Sequence, residues 1–409
     1  MCLNSKIPTS SNTIHILMID YNHLLVIMAE FVKIRSTQNE NTLKKQTAVN
    51  WPTSESSHMD LKNFDFTKKI FFHPEKIVAY KEGKRPFPTT IEVDLTNRCN
   101  HRCSFCNYAE HIGIEADKPS LDTEIIKKTL KEAKELGTRG ISFTGGGEST
   151  IHKNYLEIIE YANNIGLDVG NITNGSTITV RNVDQLLKNL QWIRISMAGG
   201  DRESYKKVQG VDQFELILKN LELLSKRKEE LKSNINIGIR TLVTPDNVQT
   251  LEKFAESIKS LNINYFQLAP DEFTTDKGAF WNNNNTQQIF QNIKNTLTSN
   301  GIDLLTTTFM KAQENLDYPQ TCHAHFFMIA ILAEGDVTFC KNARTKNSFH
   351  IGNIYKQTLK EIWDSEKNKE IEKWVKPNNC ELFCKHMAIN NTLEDIINPG
   401  PNTSPNFVG

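Results

Sequence analysis

The chain has 409 residues and eight cysteines, and seven of those cysteines fall into two groups. The first group is the run Cys99-Asn100-His101-Arg102-Cys103-Ser104-Phe105-Cys106, with cysteine spacings of four and three. Three thiolates on one short loop can converge on one face of a small cluster, and thiolates are soft ligands that suit iron–sulfur clusters or zinc. Four protein ligands close a metal site, whereas three leave one position open for a substrate or cofactor. A zinc knuckle completed by His101, or simply buried free thiols, would use the same residues. The second group is Cys322, Cys340, Cys380 and Cys384, enough to close one cluster or one zinc site. Cys2 stands alone near the N-terminus.

The elements that must position these thiols show in the hydrophobic pattern. From residue 90 onward, β-branched runs at 90–95, 141–144, 167–173, 192–197, 235–243 and 265–268 alternate with helical patterns at 121–136, 214–231, 248–261 and 289–297. Such alternation predicts βα units around a parallel sheet. Ser120 is the N-cap candidate for the first helix, and Gly137 can take the left-handed position at its end. Six units imply a six-stranded partial barrel or an open doubly wound sheet, and in either case ligands belong at the C-terminal ends of the strands. The first cysteine group follows the first strand and so falls at that end.

The 48 Lys and Arg balance the 48 Asp and Glu, which leaves no electrostatic footprint for nucleic acid or an anionic membrane. With 38% hydrophobic and 23% charged residues the composition is that of a globular protein, and eight cysteines are too few for a disulfide scaffold in a chain this long. The apolar stretch 14–32 carries His15, Asp20, Asn22, His23 and Glu30. Each charge at a bilayer centre costs about 2.5–3.5 kcal/mol, so this stretch is not expected to span a membrane. With no secretory signal pattern either, the expectation is a cytoplasmic protein. The expected organisation is a disordered extension at 1–58, a lead-in at 59–89, a core at 90–310, a cysteine-bearing domain at 311–390 and a tail at 391–409.

With its C-x3-C-x2-C run after the first strand and an aromatic residue before the last cysteine, the chain resembles the radical S-adenosylmethionine (radical SAM) superfamily. The resemblance implies an α/β fold, a partial (β/α)6 TIM-like barrel with a small C-terminal hairpin-helix iron–sulfur domain. It also implies that Cys99, Cys103 and Cys106 hold a 4Fe-4S cluster whose open iron chelates S-adenosylmethionine, with Phe105 beside the cofactor. Reduction of the cluster then cleaves the sulfonium to a 5′-deoxyadenosyl radical that abstracts a substrate hydrogen. Thr144-Gly145-Gly146-Gly147-Glu148-Ser149 is similar to the family's Gly-Gly-Glu motif, which approaches the methionine amino group through glycine backbone and a carboxylate. Ser149 stands where relatives often have proline. Thr173-Asn174-Gly175 ends the third strand and Arg194-Ile195-Ser196 lies in the fourth, at positions similar to ones that contact the cofactor's ribose or carboxylate in relatives, and Arg240 on the fifth could likewise pair with that carboxylate; Asn174, Ser196 and Arg240 are the further cofactor contacts taken from the resemblance. The Asp that many relatives carry soon after this Ser is missing.

Gly335-Asp336-Val337-Thr338-Phe339-Cys340 follows the apolar run 326–333 and predicts a hairpin, while Cys380 and Cys384 follow the amphipathic segment 358–375. This layout resembles the SPASM domain of the same superfamily in its shortened, four-cysteine twitch form. It implies an auxiliary 4Fe-4S cluster with every iron ligated, suited to electron transfer; a four-cysteine zinc site uses the same spacings. With seven cysteines assigned, only Cys2 is left, in the extension expected to be disordered, so no credible thiol remains to return a hydrogen atom, which favours oxidation over epimerisation. The expected partners are a small-molecule substrate or a peptide and a flavodoxin- or ferredoxin-like reductant. The small molecule is preferred because residues 1–89 show no pattern of a leader-binding module. Asp271, Glu272, His323 and His325 are candidate proton acceptors, with no catalytic base assigned.

Overall fold

Alternation along the strands decides how the sheet is used. β1 (Thr90–Asp94), β2 (Gly140–Thr144), β3 (Asp168–Thr173), β4 (Trp192–Ser196), β5 (Asn236–Val243) and β6 (Tyr265–Pro270) pair in parallel, in chain order. The structure, a computed structural model, describes residues 69–270, 283–306, 319–377, 380, 384 and 386–398. Residues in register share a face of a sheet. Ile91, Ile141 and Val169 form one such row and Ile195 and Ile239 another, each at most 2% exposed. Helices cover this face. α1 (Pro74–Lys81) precedes the sheet; α2 (Thr123–Glu135), α3 (Tyr155–Asn164), α4 (Val183–Asn189), α5 (Arg202–Gln209), α6 (Phe214–Glu230), α7 (Leu251–Ile258) and α8 (Asn284–Thr298) follow the strands. Ring pairs Phe143–Tyr155 at 6.1 Å and Phe254–Phe266 at 5.6 Å lock helix to strand.

The other face is concave and polar. Thr144, Arg194, Ser196, Arg240 and Gln267 project from it at alternate, half-exposed positions. Two glycines make room on it: a Cβ on Gly170 would lie 2.0 Å from the Trp192 ring, and one on Gly238 2.0 Å from the Tyr265 ring. This arrangement is the partial barrel, with its lumen on the polar face.

The sheet is larger than six strands. β7 (Asp303–Leu305) adds to β6, and on the far side β8 (Met328–Ile331) pairs in parallel with β1, followed by β9 (Asp336–Thr338) and β10 (His350–Asn353), both antiparallel to their neighbours. β8 and β9 are the expected hairpin, and the hydrogen-bonded sheet continues from 90–310 into 311–390.

One local expectation is corrected. α2 is capped by Asp122, whose carboxylate accepts from the Glu124 and Ile125 N–H groups, while Ser120 turns to Thr96 Oγ1 at 2.5 Å. Gly137 does take the left-handed conformation, at φ +104°. The segment 358–375 is two helices, α9 (Leu359–Asp364) and α10 (Glu366–Trp374), because extended Ser365 ends one and caps the next through Asn368 N–H. The tail expected from 391 begins inside α11 (Met387–Ile397), which docks by burying Leu393 and by accepting the Ala324 N–H on Asn390 Oδ1 at 2.7 Å. α1 packs with Tyr80 against Phe326, ring centres 4.2 Å apart, which gives the lead-in a place. Residues 1–58 and the 14–32 stretch lie outside the described residues. Among the described residues no helix is long and apolar enough to cross a membrane.

Candidate active site

The loop after β1 and the loop after β2 are laced together by backbone. Gly147 N–H donates to Thr96 O at 2.9 Å and Glu148 N–H to Arg98 O at 2.8 Å, one residue before Cys99. The approach demands glycine: a Cβ on Gly147 would lie 2.0 Å from Arg98 O, and one on Gly146 2.2 Å from Asn97 Oδ1. From its other side the cysteine loop rests on the end of α5, where Arg102 and Ser104 N–H groups donate to the Gln209 and Val208 carbonyls at 3.2 and 2.9 Å.

His101 is not a metal ligand in this arrangement. Its Nε2 meets Tyr205 Oη at 2.9 Å and its Nδ1 meets Asn174 Nδ2 at 2.8 Å, so both ring nitrogens are used; burial pushes its pKa down to about 4. The first centre is therefore a three-thiol set. Burial pushes the Cys99 thiol up to about 11 and the Cys103 and Cys106 thiols upward as well, and proximity of Cys106 and Cys99 raises Cys103 further. Thiols gathered out of water resist ionising unless a cation joins them, and iron supplies that charge. The donor set fits a soft-metal cluster with one open position.

Two of the expected cofactor contacts, Glu148 and Asn174, adjoin this loop and have structural roles there. Glu148 Oε1 accepts from Thr173 Oγ1 at 2.7 Å and from Thr150 N and Oγ1 at 3.1 and 2.6 Å, and Oε2 accepts from Asn174 N at 2.7 Å. A carboxylate offers about four acceptor sites, so Oε2 retains capacity for a cationic amine while Oε1 ties β2 to β3. Asn174 Nδ2 also donates to Asn100 Oδ1 at 2.8 Å, bracing the cysteine loop. Ser196 and Arg240 stand in register on the lumen face, and Phe105 is half-buried on the cysteine loop.

The second centre forms around Cys322. Burial pushes its thiol up to about 12, and Cys340, Cys384 and Cys380 raise it further, which places all four thiols as neighbours. Among the described residues no three His, Cys, Asp or Glu side chains are already gathered at one ion position, so the thiols are neighbours rather than a closed coordination shell. Flanking groups are structural. His323 bonds Tyr80 Oη at 2.8 Å and Glu394 Oε2 at 2.7 Å. His325 stacks on Phe339 at 3.5 Å between ring centres, and burial pushes its pKa down to about 3. Neither histidine is placed as a lumen base, because each is spent in the packing of the second domain; Asp271 and Glu272 lie outside the described residues.

The sequence reading missed a buried charge cluster joining the two centres. Glu92 and Asp94 on β1 face Lys341 and Arg344, which follow Cys340. The signal was present in Thr90-Ile91-Glu92-Val93-Asp94, where alternation puts both carboxylates on one face of a buried strand.

A parallel barrel with a three-thiol loop after its first strand, a glycine-built loop after its second and a four-thiol centre beyond defines an iron–sulfur α/β protein of the cofactor-binding kind. Residues 93–239 match the radical SAM superfamily, and residues 322–385 match the iron–sulfur cluster-binding SPASM domain; the chain is a radical SAM protein with a C-terminal SPASM domain. Its cofactors are accordingly 4Fe-4S clusters and S-adenosylmethionine. It is 30% identical over 184 residues to a probable GTP 3′,8-cyclase of Saccharolobus islandicus, covering 44% of this chain and 55% of that one. It is also 30% identical over 160 residues to one of Thermococcus kodakarensis, covering 39% and 51%. The chain thus spans about half the length of these relatives. In fold it resembles Streptococcus suis SuiB bound to S-adenosylmethionine, with a TM-score of 0.58 and 15% identity over 85% of this chain and 79% of that one.

Proposed function

We propose that the chain oxidises a small polar substrate, sugar- or aminocyclitol-like, by radical chemistry. Cys99, Cys103 and Cys106 would hold the cluster that binds S-adenosylmethionine, and the pair would supply hydrogen-atom abstraction through a 5′-deoxyadenosyl radical. The thiols of Cys322, Cys340, Cys380 and Cys384 would hold the auxiliary cluster, which would supply an electron acceptor. A substrate that gave up a hydrogen atom, a proton and an electron in this way would be oxidised by two electrons, with one electron entering from an external reductant and one leaving by the second centre.

The observation that supports this reading is that Cys340, Cys384 and Cys380 lie close enough to Cys322 for their charges to raise its thiol pKa. Four thiols close a cluster and leave no iron for chelating substrate, which suits electron transfer. Every cysteine among the described residues belongs to one of the two groups, so none of them is available to return a hydrogen atom.

A redox-neutral nucleotide rearrangement is the second reading, favoured by the likeness to the probable GTP 3′,8-cyclases. Anaerobic reconstitution, iron counting and assay of 5′-deoxyadenosine under strong reductant test both. About eight irons with cofactor cleavage is expected from two cubanes. Cys103→Ala is expected to abolish cleavage, and Cys340→Ala to retain cleavage while losing oxidised product. About four irons, or full product from the Cys340 variant, would overturn the electron-acceptor role. Consumption of GTP by the wild type would select the rearrangement, and activity only on a precursor peptide would replace the small molecule.

A further inference from the structure

Below Ser196 and Arg240, the lumen face holds a basic site built on Arg194. Ser196 and Arg240 lie in register, and Arg194, two residues earlier on the same face, stands roughly 7 Å deeper along the strand. Arg194 is opposite Gly238, and Gly238 is opposite Tyr265. The Tyr265 ring fills the space that a side chain at 238 would take, and Arg194 Nη1 reaches across to Gln267 Oε1 at 3.5 Å.

Arg194 Nε is buried and makes no hydrogen bond, and among the described residues Arg194 meets no carboxylate. On the same face, Glu92 and Asp94 are already held by Lys341 and Arg344. The Nε N–H is buried without an acceptor although Arg194 is partly exposed, and an oxyanion is the group that can satisfy it together with a neighbouring N–H of the same guanidinium. The Tyr265 phenol is pushed up by burial and pulled down by Arg194 and Arg240, which places its hydroxyl among their charges. Gln267 turns its carbonyl to Arg194, which leaves its amide N–H groups as further donors.

We propose that Arg194 and Gln267, above the Trp192 and Tyr265 rings, form a subsite that anchors an oxyanion of the substrate, a carboxylate or a phosphoryl group. The inference rests on the reading of the lumen as the substrate chamber of a radical SAM enzyme, and it narrows the substrate class to molecules with an anionic end. With that end held deep, the carbon to be oxidised faces the cofactor at the mouth.

The test uses reconstituted full-length protein under anaerobic conditions with saturating S-adenosylmethionine, so that the cofactor's own carboxylate site is filled. Acetate and inorganic phosphate are titrated separately at constant ionic strength, and binding is read from the shift in melting temperature. A saturable rise with either anion is expected, the stronger of the two identifying carboxylate or phosphoryl. Arg194→Met and Gln267→Leu are each expected to weaken it by about tenfold or more, and Arg194→Lys by less. No saturable rise in the wild type, or unchanged affinity in a folded Gln267→Leu protein, would overturn the subsite. Wild-type 5′-deoxyadenosine formation, measured on the same preparation, tests the enzymatic reading separately: absence of cleavage removes that reading and leaves the anion result to stand or fall on its own titration.

Discussion

Arg344 Nε lies 3.1 Å from Asp94 Oδ2, and through this pair the second domain is fastened to the first strand of the barrel. The same guanidinium reaches Glu92 Oε2 at 2.7 Å and Tyr108 Oη at 3.2 Å, and Lys341 Nζ lies 3.3 Å from Glu92 Oε1. Arg344 is four residues past Cys340 and Tyr108 two past Cys106, so one side chain braces both cysteine loops against β1. Each group in the Lys341, Arg344, Glu92 and Asp94 set is at most 9% exposed.

Removing Arg344 takes the guanidinium away from two buried carboxylates, Glu92 and Asp94. Breaking a buried pair on one side costs about 3–5 kcal/mol. Arg344→Met is therefore expected to lower stability by that order in chemical denaturation, with Arg344→Lys losing less. A variant as stable as the wild type would show that the cluster is not a fastening.

The Asp94 carboxyl is pushed up to about 6, chiefly by burial, which Arg344 opposes and Glu92 and Glu334 reinforce. Its folded pKa is above the usual carboxylate value, so between about pH 4 and 6 the folded state binds more protons than the unfolded one. Asp94 therefore makes stability fall as pH rises through that window, with its contribution fully present only below it. Denaturation midpoints across pH 4–6.5 should show this component in the wild type and lose it in Asp94→Asn.

Gly147→Ala places a Cβ 2.0 Å from Arg98 O, where backbone must move. Overpacking of this kind costs about 1–3 kcal/mol and here displaces the loop carrying Cys99. Weaker binding of S-adenosylmethionine by equilibrium dialysis is expected, with the iron content largely kept.

Glu148→Gln sets an amide N–H against donors that now point at a carboxylate, from Thr150, Thr173 and Asn174. Loss of a charged acceptor for buried donors costs about 1–3 kcal/mol. Both melting temperature and cofactor affinity are expected to fall; a change in affinity alone would mean that the carboxylate serves the cofactor and not the joint between β2 and β3.

Much of the site was legible in local spacing. Cys99, Cys103 and Cys106 sit on one loop, and Gly145 to Glu148 on the next, so each motif carries its own geometry once the strands are found. The periodicities gave β1 to β6 because each strand alternates between a helix-covered row and a lumen row. β7, only three residues long, offers no such pattern, and β8 shows in the sequence only as half of a hairpin because its pairing with β1 is made by residues 238 positions apart. His101 was open to metal ligation until Tyr205 and Asn174, distant in the chain, were found on its two nitrogens.

The sequence by itself therefore determined the ligand chemistry: three thiols and four thiols, a glycine-built loop with its carboxylate, and the parallel sheet that carries them. Which groups face one another was decided only by tertiary structure, because side-chain direction on a strand is local whereas the occupant of the opposite wall is set by pairing across the sheet. That is why Arg344 could not be matched to Asp94, or Arg194 to Gln267, from the residues alone. It is also why seven of the eight cysteines became two centres whose relation runs through a buried guanidinium and not through any cysteine.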